Sequence, residues 1–285
     1  ATLWKIGRGY GAHQIELYWS PVIAATLILV ATNLMQAMAW ARLLNRMSHK
    51  KLAIPPILAG FMAGQLARYL PTGKVALLVV RTAAIRPLGL PARLVASSIG
   101  IEVLSWLTTG MLIGTGALYI TGRHGLGLAR LLSSWSLPVA ACSVFAILVL
   151  VSVDRRHFPQ WSLRLIHAEG AGPLLSLHVL GWQAGSALGP LLQGAILPFA
   201  VGATAVDVWP NVGMFLLAPI AGFLAVVAPG GLGVREAVLS VAISADLGTS
   251  RAVVVALLAR ATFVVSEVIS WGLAKWLVHA KATRT

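Results

Sequence analysis

The sequence predicts an all-α polytopic membrane protein: a single membrane domain over residues 1–285, with an inverted repeat and two re-entrant helical hairpins. Three observations carry that expectation. Hydrophobic residues make up 58% of the chain and charged residues 11%, with a mean hydropathy of +0.84. A soluble domain carries roughly 25% charged residues, so there is too little polar surface here to coat a water-soluble body. Five apolar stretches reach the roughly 20 residues that a helix needs to cross a bilayer core. Two further apolar stretches break at Pro and Gly near their middles and match one another.

The five long stretches are 19–41, 91–121, 134–153, 173–202 and 250–278. Tyr18, Trp19, Trp40, Tyr119, Trp135, Trp209, Trp271 and Trp276 mark their ends, where an aromatic belt meets the lipid interface. Trp106 and Trp182 fall inside spans and read as packing residues. His178, alone in a span, reads as a helix-packing hydrogen bonder.

The broken stretches are 54–90 and 212–247. The first contains Arg68-Tyr69-Leu70-Pro71-Thr72-Gly73-Lys74, the second Ala228-Pro229-Gly230-Gly231-Leu232-Gly233. Pro stops a helix and Gly permits the reversal. Each arm has about 17 residues, or about 25 Å at 1.5 Å per residue, short of a core of roughly 30 Å. Both stretches therefore read as re-entrant hairpins, with Pro71, Gly73, Pro229, Gly230, Gly231 and Gly233 at the tips. Irregular backbone at membrane depth persists only against protein or a water-filled cavity. Hairpin tips of this kind imply a cavity.

A shift of 158 residues superposes Ala63, Gly64, Leu66 and Ala67 on Ala221, Gly222, Leu224 and Ala225. It also carries Pro71 to Pro229, Gly73 to Gly231, Ala84 to Ala242, Ile85 to Ile243 and Arg93 to Arg251. Repeat one then covers about 54–121 and repeat two about 212–278, with connecting spans at 134–153 and 173–202. Three spans separate the hairpins, and an odd number of crossings inverts the second copy. Inverted repeats with broken helices point to a transporter's binding site.

The net charge is +14, from 22 Lys and Arg against 8 Asp and Glu. These cations punctuate apolar runs and tile no face, and no basic-aromatic platform or helix-turn-helix is visible, which argues against nucleic acid. The single Cys142 excludes a disulfide scaffold or a multi-Cys metal site, and the seven His residues lack ligand spacing. One side of the predicted topology collects twelve cations: Arg42, Arg46, Lys50, Lys51, Arg86, Arg93, Arg155, Arg156, Arg164, Lys275, Lys281 and Arg284. The other collects five: Lys5, Arg8, Arg123, Arg130 and Arg251. The positive-inside rule puts the first side, and the C-terminus, in the cytoplasm. The first hairpin then opens from the cytoplasm and the second from outside. Residue 1 falls outside, and a further helix upstream of Ala1 is expected.

Charges inside apolar segments are costly and are functional candidates by default. Glu102 and Arg260 each sit about ten residues into their spans, and the shift of 158 maps one onto the other. A pair across a pseudo-twofold axis is expected, either as a lock between repeats or as the floor of a polar cavity. Glu267 follows Arg260 by two helical turns on the same face. Arg68, Lys74, Arg81 and Arg86 surround the first hairpin, and Arg235 and Glu236 the second. The run from Pro229 to Glu236 feeds a helix N-terminus, where free N–H groups favour an anion and Arg235 adds a phosphate-matching fork. Alternatively, Glu236 caps that helix and Arg235 snorkels to the interface. The Gly run is no dinucleotide fingerprint, since no strand precedes it. Gly125-Leu126-Gly127 reads as a turn. No nucleophile, base and orienter come together, so no enzyme, metal or cofactor is expected.

Several of these stretches resemble the lysylphosphatidylglycerol synthase transmembrane-domain family, the flippase portion of bacterial aminoacyl-phospholipid synthases and their stand-alone relatives. They are Ala39-Trp40-Ala41-Arg42-Leu43-Leu44, Leu70-Pro71-Thr72-Gly73-Lys74 with Arg81 and Arg86-Pro87-Leu88-Gly89, and Ile101-Glu102-Val103-Leu104. Pro229-Gly230-Gly231-Leu232-Gly233-Val234-Arg235-Glu236-Ala237 is the most specific, and Leu257-Leu258-Ala259-Arg260 the last. The resemblance implies a lipid translocase of the bacterial inner membrane, with Arg81, Arg86, Glu102, Arg235, Glu236 and Arg260 on polar motif positions. Two features depart from it: no synthase domain is expected after Thr285, and the first hairpin has Pro-Thr-Gly-Lys where relatives often show Gly-Gly.

The expected function is therefore a flippase that moves a phosphate-bearing lipid headgroup, phospholipid or polyisoprenyl phosphate, through a cationic midplane cavity. Its substrate-binding residues are expected to be Lys74, Arg81, Arg86, Glu102, Arg235, Glu236, Arg260 and Glu267. The alternative is a non-transporting lipid-binding subunit that docks an envelope lipid enzyme or transfer protein through the loop at 154–172. A homodimer is compatible with either.

Overall fold

A computed structural model describes residues 5–6, 15–70, 72–121, 176–225 and 228–283, with six isolated positions between 138 and 148. The span at 134–153 as a whole, Trp135, the Gly125 turn, the loop at 154–172 and Pro71 lie outside the described residues, as do Arg8, Arg123, Arg130, Arg155, Arg156, Arg164 and Arg284. A two-residue ladder, β1 (Lys5–Ile6) with β2 (Ile15–Glu16), precedes the helices.

The helices are α1 (Trp19–Ser48), α2 (Ile54–Ala67), α3 (Gly73–Ile85), α4 (Ala92–Ile120), α5 (Leu177–Ile196), the short α6 (Ala205–Val208), α7 (Val212–Leu224), α8 (Val234–Leu247) and α9 (Thr249–Ala282). Among the described residues five helical runs are long and apolar enough to cross a membrane: Trp19–Ser48, Ala92–Ile120, Leu177–Val201, Ala205–Leu224 and Thr249–Ala280. The chain is a multi-pass α-helical membrane protein. Four of these runs coincide with expected spans. The fifth corrects the sequence reading, which counted 212–228 as a short arm. There α6 and a 3₁₀ turn at Trp209–Asn211 lead into α7 and lengthen it to a 20-residue run.

Element starts recur at the same spacing in the two halves. Shifting by 158 carries the start of α1 to 177, of α2 to 212 and of α4 to 250, and α5, α7 and α9 begin at 177, 212 and 249. The correspondence thus begins a full helix earlier than the expected repeat, which started at 54.

Glycines set the close helix contacts, as is usual where helices pack in lipid. Gly185 and Gly189 of α5 admit Met35 and Thr32 of α1, so the two helices run antiparallel. Gly110 meets Ile220, Gly114 meets Leu217 and Gly213 meets Leu118, making α4 and α7 antiparallel as well. A Cβ on Gly114 would come within 2.8 Å of the Leu217 side chain. In α2 and α3, Gly60 faces Ala84 and Ile85 while Gly64 faces Arg81, which defines an antiparallel hairpin. The helix α9 packs against α2 much as α4 packs against α7.

Two buried clusters occupy opposite ends of the molecule. One joins Ala25 to Phe215, Ile243 and Ala252–Ala259; the other joins Ala37–Leu44 to Ile57, Phe61, Ile99 and Ala274. The helices α1 and α9 therefore run in the same direction. Between the clusters, polar groups on the long helices pair: Asn33 Nδ2 donates to Ser266 Oγ at 3.0 Å, and Gln193 Nε2 to the Ala259 carbonyl at 2.9 Å. Trp40, expected in the lipid-facing belt, is fully buried, because α2 and α4 cover that face of α1; its Nε1 donates to Ser98 Oγ at 3.1 Å. His178, expected to pack, is exposed on the first turn of α5. Tyr18, Trp19, Tyr119, Trp209 and Trp276 are exposed near helix ends, as a belt requires.

Candidate functional site

The connection after α2 and the connection before α8 meet near the middle of the molecule. Gly231 has φ +71°, and a Cβ there would lie 2.8 Å from the backbone of Gly222, so only Gly lets the chain pass α7. Gly230 has φ +58°, and a Cβ on it would strike the Tyr69 ring at 2.8 Å. The second break thus lies directly against the first.

Around this junction is a cavity of about 300 Å³. Its lining includes Asn33, Gln36, Gln65, Arg68, Lys74, Arg81, Glu102, Trp106, Phe223, Arg235, Arg260 and Phe263. Gly73, Gly230 and Gly231 supply backbone wall. The cations exceed the carboxylates, as the sequence suggests.

Three ion pairs account for most of these charges. Arg81 Nη1 donates to Glu102 Oε2 at 3.0 Å, with the side chains 1% and 2% exposed. Arg68 Nη2 pairs with Glu267 Oε1, and Tyr69 donates its hydroxyl to Glu267 Oε2 at 2.7 Å. Arg260 Nε lies 3.6 Å from Glu236 Oε1, and its Nη1 donates to the Gly230 carbonyl at 3.0 Å. The expected pair between Glu102 and Arg260 does not form. Each finds its partner on the helix before it in the chain, Glu102 on α3 and Arg260 on α8.

Arg235 is different. It is 4% exposed, it lines the cavity, and among the described residues it has no ion pair or hydrogen bond. Its guanidinium stacks on the Phe263 ring at 4.3 Å. Arg68 stacks on Phe263 and Tyr69 at 5.6 and 5.3 Å, and Arg260 on Tyr69 at 4.7 Å. Two rings thus hold three guanidinium groups together, an attraction of about 2 kcal/mol or more per contact when desolvated. Lys74 is exposed at the start of α3, with its Nζ 4.7 Å from the Phe223 centroid. Two buried N–H groups of the paired arginines, Arg81 Nε and Arg260 Nη2, also lack partners.

Of the expected substrate-binding residues, Lys74, Arg81, Glu102, Arg235 and Arg260 line one cavity. Glu236 and Glu267 stand behind it as ion-pair partners. Glu236 also accepts the Gly233 N–H at 2.8 Å and so caps α8, while Arg235 is buried and does not snorkel. Gly233 serves the cap and lies off the cavity wall. Pro229 opens the 3₁₀ turn through Gly231. Arg86 is a correction: the helix ends at Ile85, and Arg86 begins a 3₁₀ turn exposed at the far end of α3. Trp106, expected only to pack, lines the cavity and meets Phe223 edge-on at 5.7 Å. Arg68, beside the first tip in the sequence, joins the site although its position there does not predict it, and Tyr69, Phe223 and Phe263 carry no sequence signal beyond being aromatic residues in apolar runs.

Comparison with family models, with curated proteins and with solved structures finds no match to this chain.

Proposed function

We propose that this protein is a lipid translocase of the bacterial inner membrane, carrying a phosphate-bearing headgroup between leaflets through the cavity at the hairpin tips. The observation that carries the reading is Arg235, a guanidinium buried at mid-molecule with no carboxylate partner among the described residues. An ion held away from water is expensive unless paired. A phosphate that enters the cavity supplies the missing charge, and charge-assisted bonds to phosphate are the strong ones in a low-dielectric site. The work is transport, with no bond made or broken.

The same proposal takes the two halves as an inverted repeat and the α2–α3 and α7–α8 pairs as re-entrant hairpins. Support comes from helix direction. Within the first half the outer helices α1 and α4 run against each other, Gln36 meeting Glu102 and Trp40 meeting Ser98, and α5 runs against its counterpart α1, the direction an inverted second half requires. The helices α2, α3 and α8, of 13 or 14 residues, span about 20 Å at 1.5 Å per residue, too short to cross alone, whereas α7 reaches crossing length together with the turn and short helix before it. Arg46, Lys50, Lys51, Arg86, Arg93 and Lys275 gather at one end and Arg251 at the other, which favours a cytoplasmic C-terminus. The likeness to the flippase domain of the lysylphosphatidylglycerol synthase family belongs to this proposal too.

The test is leaflet exchange of acyl-labelled lipids in proteoliposomes. Faster exchange than in protein-free vesicles, for at least one phosphate-bearing lipid, is expected. Lipid retained by the purified protein without any acceleration of exchange would mean a lipid-binding subunit instead.

A further inference from the structure

Resting on the translocase reading, we propose that the cavity's preferred ligand bears two negative charges on a terminal phosphate group, as a phosphate monoester or a diphosphate does. Singly charged phosphodiesters and zwitterionic headgroups are disfavoured. The argument is an inventory of charge and of hydrogen-bond capacity at the tips.

All three carboxylates there face a guanidinium, and of their six oxygens Glu236 Oε1 alone accepts no hydrogen bond among the described residues. Glu102 takes Arg81 on Oε2 and the Gln36 amide on Oε1 at 3.2 Å. Glu267 takes Arg68 on one oxygen and Tyr69 on the other. Glu236 takes the Gly233 N–H on Oε2 and faces Arg260 with Oε1. A headgroup ammonium entering this cavity would find Glu102 as the carboxylate on its described wall, with both oxygens already taken. It would sit among guanidinium groups and be repelled.

The cations are not exhausted in the same way. Three of the five lining the cavity are matched by those carboxylates. Among the described residues, Arg235 and Lys74 are left over, each held by a ring face, of Phe263 and Phe223 respectively. A phosphodiester neutralises one of the two. A phosphate monoester above its second pKa of about 6 neutralises both and offers three acceptor oxygens. Arg235 is 4% exposed and lines the cavity, so a ligand there meets its charge with little competing solvent.

The experiment is native mass spectrometry of the full chain, released from phosphatidylcholine nanodiscs doped with equal fractions of phosphatidic acid and phosphatidylglycerol at pH 8. The expected retention ratio is about tenfold in favour of phosphatidic acid, the factor that 1.4 kcal/mol gives. It should approach one in Arg235→Gln, in the exposed-site variant Lys74→Gln, and in wild-type protein below about pH 6, where the monoester regains a proton. Equal retention in the wild type, or a ratio that neither variant changes, overturns the inference. A parallel arm adds glycerol 3-phosphate. If it displaces the lipid at millimolar concentration, the dianion site stands but its ligand is a soluble ester. Rapid exchange of phosphatidylglycerol without any dianion preference overturns this inference alone and leaves the translocase reading intact. A dianion preference without exchange does the reverse.

Discussion

Arg81 and Glu102 form an ion pair at 3.0 Å that solvent does not reach, joining α3 to α4. Gln36 adds a donor from α1, and the Arg81 guanidinium lies 3.9 Å from the Phe61 ring centroid on α2. One pair therefore fixes the first hairpin against two long helices. Breaking a buried pair from one side leaves an uncompensated charge and costs about 3–5 kcal/mol. Glu102→Gln should lower the thermal midpoint sharply in detergent. The double variant Arg81→Met with Glu102→Leu should recover most of the loss, since apolar replacement of a whole buried pair is close to neutral. A double variant no more stable than Glu102→Gln would refute this structural role.

Gly231→Ala should damage folding more than any other single methyl addition at the tips. Its φ of +71° and its 2.8 Å approach to Gly222 leave no room for a side chain. Left-handed backbone in a non-Gly residue costs about 1–3 kcal/mol before the clash is counted. Fluorescence-detected size exclusion checks this: a monodisperse peak with an unchanged melting midpoint would contradict the description of the junction.

Arg235→Met should raise the stability of the ligand-free protein while lowering lipid retention and exchange. A charge at mid-membrane costs up to about 2.5–3.5 kcal/mol on insertion scales, and among the described residues Arg235 has the Phe263 ring but no ion pair to offset it. Melting in nanodiscs without anionic lipid measures the gain. A variant that is destabilised in both conditions would mark Arg235 as scaffold.

Single cysteines in place of Lys51 and Arg251, each in a chain with Cys142→Ser, test orientation. Both positions are exposed, at opposite ends of the helical body. Cysteine at 51 should react with an impermeant reagent only from the cytoplasmic face, and cysteine at 251 only from the outer face. The reverse pattern would invert the topology.

Much of this arrangement is legible in the sequence, and the limits have physical causes. Apolar runs, Pro/Gly breaks and the 158-residue recurrence depend on local composition, so α1, α4, α5 and α9 could be placed and the breaks at 68–74 and 228–233 located. Buried charge is rare in such runs, which is why Arg81, Glu102, Arg235 and Arg260 stood out. Which carboxylate meets which guanidinium depends on how each helix is rotated about its axis. That was not readable, and Glu102 was matched to Arg260 when Arg81 lay nearer. Arg86 was misread because one 3₁₀ turn at Arg86–Leu88 separates it from the helix that carries Arg81. Trp40 was assigned to the interface because nothing local says that α2 and α4 will cover it. Phe263 and Tyr69 looked like ordinary apolar filling until the tips brought three guanidinium groups onto their faces.

The most direct measurement is photo-crosslinking from the cavity wall. Trp106 lines the cavity, and benzoylphenylalanine in its place would report whatever enters. On irradiation of native membranes, the account predicts a covalent adduct with a phosphate-bearing lipid, most of it lost when Arg235→Gln is added. The absence of any lipid adduct, or an adduct equally abundant with and without Arg235, would contradict it.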